Sequence, residues 1–153
     1  MDSIAIMMTA DHRSCDTYLA AVEQAVHRKD WSAARAAFAA FQAAMLTHFS
    51  AEEAVLFPQF EQHTGISRGP TQVMRNEHLQ MRQLLTAAGS ALASNDQEDY
   101  RGEMETLLIM MQQHNVKEEN VLYPMCDQHL VVGIEQLLAD LQSTLDQPPK
   151  VAT

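Results

Sequence analysis

Six polar residues in this chain have types and spacings that are suited to binding metal ions. They are four histidines and two glutamates: His12, His48, Glu52, His78, His114 and Glu118. Each glutamate follows a histidine by four residues, which in an α-helix places both side chains on one face, a turn apart. Imidazole nitrogens and carboxylate oxygens are good ligands for first-row transition metals. The pattern therefore predicts a metal centre, provided that helices bring the two pairs and the remaining histidines together.

An internal repeat indicates how these residues come together. A shift of 66 residues aligns the two halves without a gap and places His12 on His78. The strongest match is between HFSAEEAVLFP at 48–58 and HNVKEENVLYP at 114–124. Chains with such repeats often fold as copies of one unit. The sequence thus predicts a duplicated helical hairpin, in which a site on the pseudo-two-fold axis takes equal contributions from both halves.

The elements that must position these residues are predicted to be helices. Apolar residues recur at spacings of three and four through four segments, which is the period of an α-helix. The pattern predicts an all-α fold, an up-down-up-down antiparallel four-helix bundle with a short C-terminal helix at about 132–145 covering one end. One domain is expected over residues 1–146, followed by a flexible tail at 147–153.

Residues that commonly begin, end or kink helices agree with this arrangement. Asp30 and Asp96 precede the second and fourth helices as N-cap candidates. Pro70, at the end of the central connection, suits the first turn of the third helix. Pro58 and Pro124 are expected to kink or end the second and fourth helices. In those two helices the core-facing positions are predicted to continue to Val55 and, through Val121, to Met125.

The four histidines are predicted to lie at one level of the bundle. His12 and His48 are each 18 residues from Asp30, and the second pair has the same spacing from Asp96. At about 1.5 Å per residue, each lies about 27 Å from its turn. Core-facing carboxylates without a neighbouring Lys or Arg would be costly to bury. Two cations offset that charge. The ligand types favour a pair of iron ions, with manganese as the nearest rival and zinc not excluded.

Several neighbouring residues are predicted to have structural roles. Four methionines adjoin the histidines as core fillers and would make an apolar pocket suited to O2 or NO: Met8, Met45, Met74 and Met111. Cys15 is expected to be a small core residue and Tyr123 a packing residue. Glu53 and Glu119 are expected to face solvent. Three other histidines are expected to be exposed: His27, His63 and His129.

Composition excludes several classes of protein. The net charge is −10 over 153 residues, which argues against nucleic acid or an anionic membrane as a partner. No signal peptide, membrane span or disulfide framework is indicated, and a cytoplasmic location is expected.

These motifs resemble the hemerythrin-like family, also called the HHE cation-binding domain. The resemblance covers about residues 4–128 and rests on Asp11-His12, Glu77-His78 and the two segments HFSAEE and HNVKEE. It implies a non-haem di-iron site with an oxo or hydroxo bridge. The implied ligands are His12 and His48 on one iron, His78 and His114 on the other, and Glu52 and Glu118 as bridges.

The resemblance also bears on function. Oxygen-carrying members have a fifth histidine where this chain has Met74, and their last carboxylate corresponds to Glu119. The repeat and the helix geometry favour Glu118, so the site is more similar to the iron-centre repair branch. The resemblance implies a protein that binds or reacts with O2 or NO, in oxidative or nitrosative stress or in iron-centre repair. The alternatives are a redox enzyme that reduces peroxide or NO, and an iron reservoir, donor or sensor. An electron donor or an iron-protein client is a possible partner.

Overall fold

The computed structural model describes residues 2–147, and no β-strand occurs among them. Seven α-helices account for most of these residues. They are α1 Ile4–His27, α2 Trp31–Ala51, α3 Phe57–Thr64, α4 Pro70–Ala93, α5 Gln97–Lys117, α6 Tyr123–His129 and α7 Ile134–Leu145. A π-helical segment joins α2 to α3 at Glu52–Leu56, and another joins α5 to α6 at Glu118–Leu122. We call them the first and second π-turns.

The predicted four-helix bundle with a short C-terminal helix is confirmed. α1 packs on α2, α4 packs on α5, and α2 contacts α4. The predicted domain limits at 1–146 stay a prediction, and the expected tail lies, from residue 148 onward, outside the described residues. No helix in residues 2–147 is long and apolar enough to cross a membrane.

The turns between paired helices repeat in detail. The side chains of Asp30 and Asp96 each accept a hydrogen bond of 3.1 Å from a backbone N–H three residues later, so both predicted N-caps are confirmed. The preceding residues, Lys29 and Asn95, have φ of 59° and 60°. A left-handed conformation is uncommon for residues other than glycine. Its occurrence at equivalent positions shows that the two hairpins share a backbone geometry as well as a sequence pattern.

The prolines do not end their helices. Phe57 donates its N–H to the C=O of Glu52, five residues earlier, and Tyr123 does the same to Glu118. The following proline, at 58 and at 124, has no N–H with which to continue the α-helical ladder. The chain therefore takes up one extra residue in a π-turn and then resumes as α3 or α6. The expected kink or end thus takes the form of a π-turn, after which the chain continues as a helix.

The π-turns also change which residues face the core. The predicted core position Val121 is 52% exposed, whereas its neighbour Leu122 is 1% exposed. In the first hairpin Leu56 is fully buried and Val55 is only partly buried. A π-turn adds one residue to the helix, so each core-facing position beyond it moves by one. The prediction of Val121 as a core-facing residue is thus corrected to Leu122. Val55 and Met125 pack against the core but are only partly buried, beside the fully buried Leu56 and Cys126.

α7 covers the flank of the bundle that α2 and the first π-turn form. It begins two residues later than predicted. Leu137 and Leu141 are buried, and three more apolar residues of the predicted face pack against the same core: Ile134, Leu138 and Leu145. The predicted amphipathic face is therefore confirmed.

The core consists of two apolar clusters on either side of a polar layer. One cluster extends toward the α1–α2 and α4–α5 turns and includes Met45 and Met111. The other lies toward α3, α6 and α7 and includes Met8 and Met74. All four methionines are buried, as predicted. Each lies three or four residues from one of the candidate histidines, so the candidate site lies between the clusters.

Candidate metal centre

The structure brings the six predicted ligand residues together in the layer between the two apolar clusters. One histidine comes from each long helix and one glutamate begins each π-turn: His12, His48, His78 and His114, with Glu52 and Glu118. None is more than 5% exposed. Ring centroids of His12 and His48 are 4.6 Å apart, and those of His78 and His114 are 4.9 Å apart. The predicted single level is therefore observed.

The ligand atoms form two overlapping groups. One contains Glu52, His78, His114 and Glu118, and the other contains His12, His48 and Glu118. Within each group, one nitrogen or oxygen atom per residue lies within 4.8 Å of all the others. Because Glu118 belongs to both groups, the arrangement suits two neighbouring cations that share a carboxylate.

Four buried atoms of the first group have no hydrogen-bond partner among the described residues. They are Glu52 Oε1, His78 Nε2, His114 Nε2 and Glu118 Oε2. His78 Nε2 lies 3.1 Å from Glu52 Oε1, but without the alignment of a hydrogen bond. Buried polar atoms are nearly always paired in folded proteins. Four buried ligand atoms without a hydrogen-bond partner, gathered in one cluster, therefore fit a bound cation.

Each histidine forms a hydrogen bond to a carboxylate on the side of its ring that faces away from the layer. The Nδ1 contacts are His12 with Glu119 (2.9 Å), His48 with Asp11 (2.7 Å), His78 with Glu53 (2.6 Å) and His114 with Glu77 (2.9 Å). An ionised carboxylate only accepts hydrogen bonds, so Nδ1 carries the proton in all four rings. Nε2 then faces the centre of the layer. Such outer carboxylates fix ring orientation and raise the basicity of a metal-binding histidine.

The expectation that Glu53 and Glu119 face solvent is wrong. Their side chains are 24% and 31% exposed, and each binds a histidine of the other hairpin. Each is the second residue of a π-turn, which winds less per residue than an α-helix and so keeps the side chain nearer the core. The remaining outer carboxylates, Asp11 and Glu77, precede His12 and His78 directly in sequence. Their recurrence at the repeat spacing was the available signal, although each contacts a histidine of the following helix.

Tyr123 also has a larger role than the predicted packing. Its hydroxyl lies 2.8 Å from Glu52 Oε2 and 3.0 Å from Glu118 Oε1, so it donates to one carboxylate at a time. The same oxygen is 3.2 Å from His12 Nε2 and 3.3 Å from His48 Nε2. Burial and the two nearby carboxylates raise the pKa of this phenol well above its usual value. The side chain therefore supplies a proton donor inside the layer.

Electrostatics of the layer couple the carboxylates to the histidines. Burial would raise the pKa of Glu52, but the charge of His48 and hydrogen bonds from its neighbours hold that pKa well below its usual range. Burial would likewise lower the pKa of His48, but Glu52 and Asp11 raise it well above 6.5. Binding a cation therefore requires protons to leave the histidines.

Other candidate groups lie outside this chemistry. Burial raises the pKa of Cys15 to about 12, which keeps the side chain a thiol and fits its predicted role as a core residue. His27, His63 and His129 are exposed, as predicted.

A comparison with models of protein families shows to which family the chain belongs. The model of the hemerythrin HHE cation binding domain matches residues 3–126. The chain belongs to this family. No curated protein and no solved structure matched the chain. The matched span includes every candidate ligand, the four outer carboxylates and Tyr123. This hemerythrin HHE domain thus contains buried His and Glu groups that are able to hold a metal ion.

α7 lies beyond the matched span of the hemerythrin HHE domain and packs on α2 and the first π-turn. His48 belongs to α2 and Glu52 begins the first π-turn. α7 therefore buttresses the helix that carries one of the two His–Glu pairs.

Proposed function

We propose that this hemerythrin HHE domain holds two iron ions in the buried layer. The proposed ligands are His12 and His48 for one ion, His78 and His114 for the other, and Glu52 and Glu118 between them. The cluster of four orphaned buried donor atoms supports this proposal most directly. Two overlapping ligand groups that share Glu118 support a pair of ions rather than one.

The donor set favours iron. It contains imidazole nitrogen and carboxylate oxygen and no thiolate, because both cysteines in the chain lie outside the two ligand groups. Such ligands suit iron and manganese, and zinc accepts them as well. Metal analysis of the purified protein distinguishes the three.

We further propose that the centre binds or reacts with a small diatomic molecule, O2 or NO, in oxidative or nitrosative stress or in iron-centre repair. A pair of bound iron ions would supply open coordination positions and redox chemistry. Buried methionines on both sides of the layer make its surroundings apolar, which favours a small uncharged ligand. A groove of about 390 Å³ between α1 and α5 extends as far as Glu119, the partner of His12. It offers such a molecule a route toward the layer.

The chain's own groups would serve this chemistry in distinct ways. The outer carboxylates orient the imidazoles through Nδ1, so that Nε2 is presented to the metal. Tyr123 holds a proton within hydrogen-bonding distance of both central carboxylates. A cytoplasmic location and a partner that donates electrons or receives iron repair stay predictions.

Metal content and optical spectra test the proposal. We expect two iron ions per chain, and a visible band that changes when the protein, reduced without air, receives O2 or NO. Glu52→Ala combined with Glu118→Ala should abolish metal binding, because the variant loses both central carboxylates. Glu98→Ala combined with Glu105→Ala is the matched control, since both residues are exposed and lie outside the ligand groups.

The outcomes separate the alternatives. A double variant that still held two irons would refute the ligand assignment. Catalytic turnover with a chemical reductant would instead indicate a redox enzyme. Labile iron without a spectral response to either gas would indicate a reservoir, donor or sensor.

A further inference from the structure

The two hairpins supply the layer equally, but the charges behind the histidines are not duplicated. By the 66-residue repeat, His12 corresponds to His78 and Glu119 corresponds to Glu53. The cationic residues near these groups, however, do not recur at the repeat spacing. Arg82 corresponds to Asp16, and Lys117 corresponds to Ala51. The two halves of the centre therefore sit in different electrostatic surroundings.

On the His78 and His114 side, both outer carboxylates are paired with a cation. Arg82 donates two hydrogen bonds of 2.8 Å to Glu53, in the bidentate geometry that makes such pairs strong. Lys117 donates to Glu77. Each of these carboxylates thus shares its negative charge between a histidine and a cation. The outer carboxylates of this half and their paired cations therefore add little net charge around a bound metal.

On the His12 and His48 side, the corresponding carboxylates have no such partner. Within the described part of the chain, no Lys or Arg forms an ion pair with Glu119 or Asp11. Asp16 lies near Glu119 instead, and the charge of Glu119 contributes, after burial, to raising the pKa of Asp16. Arg13 also acts on Asp16 but forms no ion pair with Glu119. The two outer carboxylates of this half therefore lack the directly paired cations that those of the other half have.

A third difference lies inside the layer. Tyr123 and Phe57 are equivalent by the repeat, but only Tyr123 has a hydroxyl. Its oxygen lies beside the Nε2 atoms of His12 and His48. Phe57 places a ring parallel to His78 at 5.7 Å between centroids. The His12 half thus contains the additional oxygen, while the His78 half is more apolar.

We propose that the chain makes the two metal positions inequivalent, such that His12 and His48 hold the more highly charged ion. The inference rests on the proposed pair of iron ions. Negative charge close to a metal stabilises its higher oxidation state, and the interaction with one unit charge is substantial inside a protein. With two iron ions bound, one electron from an external reductant would reside at the His78 and His114 position, and the His12 and His48 position would keep the ferric charge.

Two surface substitutions test this assignment by the sign of their effect. The measured quantity is the comproportionation constant. It is the equilibrium constant of the reaction in which one oxidised and one reduced centre give two mixed-valence centres. It comes from a spectroelectrochemical titration, with Mössbauer and electron paramagnetic resonance spectra at the midpoint. Asp16→Arg adds positive charge beside the ferric position, and Arg82→Gln removes it beside the ferrous position. Both should lower the constant, because both bring the two reduction potentials together.

We expect Asp16→Arg, a change of two unit charges, to have the larger effect, and Arg82→Gln to lower the constant about tenfold. That is the size expected for a unit charge at roughly 8 Å in an effective dielectric constant of about 20, after partial screening. Arg101→Gln makes the same charge change as Arg82→Gln at an exposed residue near the start of α5; it is the control and should leave the constant unchanged. Iron content is measured first for every variant.

The possible results are distinct. If the unsubstituted protein does not hold two irons, the proposed function fails and this inference fails with it. If every variant holds two irons and both substitutions raise the constant, the ferric position is at His78 and His114, and the assignment is reversed. If the variants match the Arg101→Gln control, the outer charges do not differentiate the ions, and the inference is refuted.

Discussion

The outer carboxylates are the residues that turn four buried imidazoles into a directed ligand set. Asp11 accepts a hydrogen bond of 2.7 Å from Nδ1 of His48, which leaves Nε2 free to face the layer. Its side chain is 23% exposed, so it lies at the border between the core and solvent. A carboxylate in this position contributes both orientation and charge to a histidine that binds metal.

Asp11→Asn should therefore weaken metal binding without removing a proposed ligand. The amide retains an oxygen acceptor but loses the charge that makes the imidazole more basic. We expect metal affinity to fall by about 10- to 100-fold, the range typical of such outer partners. Competition with a chelator of known affinity measures the change.

Asp99→Asn provides the control for this substitution. Asp99 is exposed in the first turn of α5 and lies outside the ligand groups. An unchanged affinity for Asp11→Asn, together with unchanged helicity, would mean that the outer carboxylate does not support His48.

At the residue scale, the sequence predicts what local spacing and the repeat encode. The pair His48 and Glu52 lies one turn apart on one helix, and its repetition at 66 residues indicates a shared site. The bond between His12 and Glu119 joins residues 107 apart, and no local pattern encodes such a contact. Tyr123 was missed because the helical wheel is interrupted by the π-turn before it, which directs the hydroxyl into the layer.

The π-turns are the elements that set the geometry of the central carboxylates. Each begins at a central glutamate, and each is followed by a proline that lacks an N–H. A π-turn is a one-residue insertion into an α-helix, frequently found at functional sites. Removing one exposed residue from it should restore α-helical winding while the flanking helices keep their packing.

Deletion of Asn120 from the second π-turn tests this. Asn120 is exposed, so the deletion removes the extra residue without removing a core side chain. We expect the protein to stay folded, with a loss of about 3 kcal/mol in the free energy of unfolding, because Pro124 then lies within an α-helix. Metal affinity should fall as well, because Glu119 would move away from His12. Chemical denaturation followed by circular dichroism gives the stability.

Deletion of Gln113 is the matched comparison. Gln113 is also exposed but lies within α5, directly before His114. Its removal rotates either Met111 or His114 out of the core, so this variant should not fold. Equal losses in the two deletion variants would show that the π-turn is not a removable insertion.

Element boundaries were predictable where a residue caps or begins a helix, as at Asp30, Asp96 and Pro70. The π-turns were not, because the only local sign is a proline, and a proline is equally compatible with a kink or an end. The resulting shift of one position explains why Leu56 and Leu122, rather than the valines before them, are buried. A helical wheel drawn at a constant angle cannot include that shift.

At the scale of the whole molecule, the duplication accounts for the architecture and the charge pattern accounts for its asymmetry. The repeated turns at Lys29 and Asn95 and the matched His levels follow from the duplicated sequence. The cations behind only the His78 half do not follow from it, because differences such as Arg82 against Asp16 lie at exposed or partly exposed positions that helical periodicity does not constrain. Their effect becomes apparent only when the outer carboxylates are located in space.

The buried ionisable layer also gives the molecule a pH dependence of opposite sign with and without metal. The pKa values of His48, His78 and His114 are raised above 6.5, because nearby carboxylates outweigh the effect of burial. A histidine with a raised pKa in the folded state stabilises the fold fully below 6.5, and that contribution is lost as pH rises through the folded-state value. The metal-free protein should therefore lose stability as pH increases above neutrality.

Metal binding reverses this trend, because the ligand histidines must be deprotonated before they bind. Raising the pH removes the competing protons, so the stabilisation by metal increases over the same range. We expect the difference in melting temperature between metal-loaded and chelator-treated protein to widen from about pH 6 to about pH 9. Thermal unfolding at constant ionic strength measures it, with Glu52→Ala combined with Glu118→Ala as the control whose two preparations should melt alike. A difference that narrows with pH would contradict proton release from the layer, since competing protons could then not be what opposes metal binding.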